Sequence, residues 1–240
     1  MNLNIPYMET DNKLLNDAYR IAAGDIVGNI VYYQNGLLTE EKPCMIAGLD
    51  YNTPWTRDTA INIWNALSML SPEVSKNTLL AVLEEEEGNI YIGGQYWDSI
   101  IWMIGAREYC RFHKDDNFYR LAFEAGRNSV HRLEEDEFDE EDGLFRGPAV
   151  YGDGIAAYPD KYSKCPNQGS GILEWVDYPG NPVYPKGYGI PMKALSTNCV
   201  YFKVYEILAE MAHALGEPAK EFEEKAAAMK KAINKKIGRA

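Results

Sequence analysis

Apolar residues recur at helical spacing along most of the 240-residue chain. Leu14, Ala18, Ile21 and Ala22 mark a first helix, and a second follows over 59–69. Ser71-Pro72 supplies an N-cap and a proline at the first helical position, so a third helix is predicted from there to about residue 86. A fourth covers 95–112, with Ile100, Ile101, Ile104 and Tyr109 on its apolar side, and a fifth covers 116–133. A sixth runs over 192–215 and stops at Gly216, a residue suited to a helix C-terminus, and a seventh covers 218–237. The short spacers between the third, fourth and fifth predict antiparallel neighbours. Residues 26–33 form the best strand candidate.

Helical periodicity lapses over 143–191, where Gly, Pro and Tyr accumulate. A loop of that length inside a compact domain is functional or disordered. Phe145, Tyr151, Tyr158, Trp175, Tyr178, Tyr184 and Tyr188 argue for order. Helices with an ordered long loop predict one all-α domain over 1–240, its site on loops.

Composition narrows the partners. A net charge of −12 speaks against nucleic acid, which needs a basic footprint. The acidic runs at 83–88 and 134–142 and the basic run at 230–239 fit solvated helix ends and loops. No apolar stretch reaches membrane-spanning length and no signal peptide opens the chain, so a cytoplasmic, membrane-free protein is expected. The four cysteines show no C-x-x-C spacing; Cys110 and Cys199 fall in apolar helical runs and read as core residues. Scattered histidines without H-E-x-x-H, and an acidic run that misses the EF-hand pattern at Phe138, predict no metal. No nucleotide or nucleophile-elbow motif occurs, and no cofactor is expected.

Four segments share an unusual mixture: PWTRD at 54–58, GGQYWDSIIW at 93–102, GLFRGPAVYGDGIAAYP at 143–159 and GILEWVDYPGNP at 171–182. Each joins an aromatic to a carboxylate, and two add an arginine. Sugars call for this mixture, because a ring face covers the C–H side of a pyranose while carboxylates and guanidinium groups bond its hydroxyls. Taken singly, Asp58 and Asp98 also read as carboxylates favoured at a helix N-terminus, and Arg57–Asp58 as a surface ion pair. Trp64 and Trp102, deeper in helices, read as core.

The order of these segments resembles the six-hairpin, (α/α)6-toroid glycoside hydrolases, among them glucoamylases, processing α-glucosidases and glycogen-debranching glucosidase domains. W-x-R-D at Trp55, Arg57 and Asp58 looks like the glucoamylase-type motif that holds the terminal sugar. E-W-V-D-Y at Glu174 to Tyr178, and A-L-S-T-N-C-V-Y-F at 194–202 after it, resemble the segment carrying the general acid and the helix that follows. The resemblance implies an exo-acting, inverting hydrolase of α-glucosides or related oligosaccharides. Asp177 would be the acid, with Glu174 its rival. Trp55, Arg57, Asp58, Trp97, Asp98, Arg146, Tyr151, Asp153, Trp175 and Tyr178 would bind substrate. A complete ring needs about a dozen helices and the periodicity marks about seven, so an incomplete toroid is expected. Its general base then lies elsewhere, and the remaining hairpins or self-association would cover exposed faces. The same residues also fit a carbohydrate-binding fragment without turnover. A helical-repeat module would show a fixed period near 34 to 47 residues, and the chain has none.

Overall fold

The computed structural model describes residues 5–48, 50–94, 98–147, 149 and 193–237. These residues form seven helices and three two-stranded hairpins. The chain divides into two compact units, Met1–Gly94 with Ile101–Ala125, and Gln95–Ile100 with Gly126–Ala240.

In the first unit, helix α1 spans Lys13–Gly28. Asn12 caps it, its Oδ1 accepting from the backbone N–H groups of Leu14 and Leu15 at 3.0 and 3.2 Å. The helix absorbs the first part of the expected strand. Only Ile30–Tyr33 (β1) is extended, pairing antiparallel with Lys42–Met45 (β2). Helix α2 covers 56–70 and includes one π-helical stretch, Ile63–Leu67. Ile63 and Leu67 are buried there, and Trp64 is turned outward with 47% of its surface exposed. The core expectation for Trp64 is therefore wrong, because the side of the turn it occupies faces away from those two anchors. Trp102 meets the same expectation: it is fully buried, and its indole N–H donates to the Leu79 carbonyl at 3.3 Å.

Helix α3, Pro72–Ala81, opens on Ser71 as predicted, with the Ser71 hydroxyl accepting from Val74 N–H. It ends five residues before the expected boundary near 86. Leu83–Glu86 (β3) pairs with Asn89–Ile92 (β4) instead. Four successive glutamates at a helix C-terminus would repel one another and oppose the macrodipole. Glu87 and Gly88, at φ 51° and 81°, turn the chain into a hairpin. Helices α4, Asp98–Phe112, and α5, Asp116–Glu137, come next in the chain, the latter extending past the expected end at 133.

In the second unit, Phe138–Asp139 (β5) pairs with Leu144–Phe145 (β6). Helices α6, Leu195–Leu215, and α7, Lys220–Ile237, pack along each other. Gly216 ends α6 in the left-handed conformation at φ 71°, and Glu217 N–H returns to the Ala212 carbonyl at 2.8 Å. Tyr201, Tyr205 and Leu208 form the buried side of α6, so Cys199 faces solvent and is not a core residue. Cys44 is buried and Cys110 is partly buried, and burial pushes both thiols up to about 12.

Asn198 joins the β5–β6 hairpin to α6. It is almost fully buried; its Oδ1 accepts from Phe145 N–H at 2.8 Å and its Nδ2 donates to the Phe145 carbonyl at 3.0 Å. Phe145 stacks on Tyr201 with ring centroids 3.6 Å apart. Asn198→Ala leaves a buried N–H and carbonyl unsatisfied, and should lower stability by about 2–4 kcal/mol in urea titrations; a loss under about 0.5 kcal/mol would show that the pair is not needed.

Candidate functional site

The first turn of α2 is the tip of the W-x-R-D motif. Trp55 stands in the N-cap position in extended conformation, and its indole makes no capping bond. Asp58 lies in the first turn, where a carboxylate meets the positive end of the helix dipole. Thr56 is buried and anchors the turn by donating its hydroxyl to the Gly93 carbonyl at 3.0 Å. Gly93 in turn donates its N–H to the Val82 carbonyl at 2.9 Å. A Cβ on Gly93 would lie 2.5 Å from Glu84 Oε1 and 2.9 Å from the Val82 carbonyl oxygen, so only glycine fits.

That hydrogen bond brings the first two sequence segments together at their Thr56 and Gly93 ends. Around it, Trp55 meets Tyr51 edge to face at 6.2 Å, and both rings are about half exposed. Arg57 and Asp58 are half-buried, each with polar or ring partners within the protein. An accessible aromatic edge, a guanidinium and a carboxylate thus share one helix start. Asp98 is buried as the first residue of α4.

The second unit holds Arg146. Its guanidinium pairs with Asp139 at 3.0 Å and donates to the Phe138 carbonyl at 3.4 Å. Lys193 reaches Asp139 at 2.7 Å and Asp142 at 2.8 Å, and Lys236 reaches Asp142 at 3.3 Å. The bond from Lys193 holds the Asp139 carboxyl below its usual range. Burial works against ionisation of Asp142, and the two lysines outweigh it. The acidic run is therefore no freely solvated loop at these two positions. A bridge between Gly147 and Lys193 ties the residues that flank 148–192. Glu174, Asp177, Tyr151, Asp153, Trp175, Tyr178 and Trp97 lie outside the described residues.

Two groups escaped the sequence reading. Glu137, at the end of α5, has a buried Oε2 without a hydrogen-bond partner among the described residues. Burial, reinforced by Asp136 and opposed by Arg146, raises its carboxyl to about 7. Such a group can carry a proton near neutral pH. The other is a network on α5, α6 and α7. Glu134 accepts from the Tyr205 hydroxyl at 2.6 Å and from Lys225 at 2.8 Å. Glu221 accepts from Lys225 at 2.5 Å and is 2.9 Å from His131 Nε2. Donor atoms of His131, Glu134 and Glu221 lie within 4.8 Å of one another, which makes them the group among the described residues that could hold a metal. The Lys225 ammonium already bonds both carboxylates. The sequence signal was the i, i+3 pair His131–Glu134; Glu221 lies 90 residues away from His131.

No protein-family model, curated protein or solved structure matches the chain.

Glu137 gives the chain a pH signature. Between its ordinary 4.5 and about 7, the folded chain binds more protons than the unfolded one, so stability falls as pH rises through that window. Glu137→Gln lacks this loss. Its stability relative to the parent should rise by about 1–3 kcal/mol between pH 4 and pH 8 in urea titrations, and a pH-independent difference would contradict the burial.

Proposed function

We propose that this chain is a carbohydrate-active domain of the inverting, exo-acting glycosidase type, taking α-glucosides or related oligosaccharides. The observation that supports the reading best is the Thr56–Gly93 hydrogen bond at 3.0 Å. It seats Trp55, Arg57 and Asp58 at the start of α2 beside the GG of the second aromatic–acidic segment. In this reading Trp55 covers the apolar face of the terminal sugar, and Arg57 and Asp58 bond its hydroxyls. The motif resemblance would add Asp98 and Trp97 to the binding set. A neutral ligand also suits a chain of net charge −12.

The rest of the proposal draws on the motif resemblance. Asp177, with Glu174 as its rival, protonates the leaving oxygen; a second carboxylate activates water from the opposite face of the ring. Arg146, Tyr151, Asp153, Trp175 and Tyr178 complete the substrate contacts. The helices would form part of a ring of six hairpins.

Arg57→Ala should weaken calorimetric binding of maltotriose at least about tenfold, the scale of losing a charge-assisted hydrogen bond. Unchanged affinity would return Arg57 to a structural ion pair.

A further inference from the structure

The second unit contains a cavity of about 690 Å³, and its lining includes none of the residues the proposed function uses. Its apolar wall comes from Phe138, Tyr205, Ala228 and Met229. Its polar wall is the network of His131, Glu134, Glu221 and Lys225, with Glu140 exposed beside it. A pocket of this size with an apolar body and a few converging polar groups suits a small organic ligand.

The charge balance selects the ligand. Glu134, Glu135, Glu140 and Glu221 set four carboxylates against the one ammonium of Lys225, whose charge Glu134 and Glu221 already share. An anion would meet net repulsion. Lys225 itself shows what this wall accepts, since its ammonium bonds Glu134 and Glu221 and stands 5.9 Å from the centroid of the Tyr205 ring. Carboxylates beside an aromatic face are the chemistry of ammonium recognition. The Lys225 side chain is 32% exposed on a flexible stem, so it can turn to solvent and give up that position. The Tyr205 hydroxyl, bonded to Glu134 at 2.6 Å, keeps that carboxylate aimed when the lysine leaves.

We infer that this cavity binds a small organic ammonium with an apolar body, its charge taking the place of the Lys225 ammonium and its carbon frame lying against Phe138 and Met229. Calorimetry with phenethylammonium, using phenethyl alcohol as the uncharged counterpart, tests this on the full chain. The expected result is saturable one-to-one binding of the ammonium, at least tenfold tighter than the alcohol. Lys225→Met should tighten it about fivefold or more by removing the internal competitor, and Glu140→Gln should weaken it severalfold, both with unchanged far-ultraviolet circular dichroism. Equal affinity for the alcohol, no binding by either the parent or Lys225→Met, or weaker binding by Lys225→Met would overturn the inference. So would Zn²⁺ binding that requires His131 when neither chain binds the ammonium.

Discussion

The hydrogen bond from Thr56 to the Gly93 carbonyl is the constraint on which the proposed site depends. Thr56 opens a helix whose N-cap residue, Trp55, offers no capping oxygen, and Gly93 follows a hairpin whose strands are only four residues long. Burying the threonine hydroxyl makes the bond obligatory, because an unsatisfied buried donor costs more than the bond itself returns. With that point fixed, Trp55 stands half exposed at the start of the helix.

The second unit uses the same device on another scale. Asn198 holds both backbone groups of Phe145, while Lys193 and Arg146 converge on Asp139. These contacts fasten the residues on each side of 148–192. Gly147 and Lys193, on either side of those residues, are joined by a bridge of their own. The ion pairs are half-buried, so they are screened less by salt than surface pairs would be.

Much of the helical frame was legible in the chain. Ser71-Pro72 and Gly216 punctuate helices for local reasons, and local reasons survive folding. The hairpin at 83–92 was hidden because Leu83 prolongs the apolar rhythm of α3, while the decisive residues were Glu87 and Gly88 beyond it. Trp64 was misread because one π-helical turn shifts the phase that a uniform helical period assumes. At the site, W-x-R-D could be seen but its anchor could not: nothing local links Thr56 to a glycine 37 positions on. Lys193 with Asp139, and His131 with Glu221, are equally non-local, and burial, reinforced by Asp136, makes Glu137 unusual.

The most direct test follows the anomeric proton signals of α-linked glucose oligosaccharides by NMR while the 240-residue chain is present. The account predicts glucose released from the nonreducing end, appearing first as the β-anomer. Glucose appearing first as the α-anomer, or no hydrolysis with no saturation transfer from protein to sugar, would contradict it.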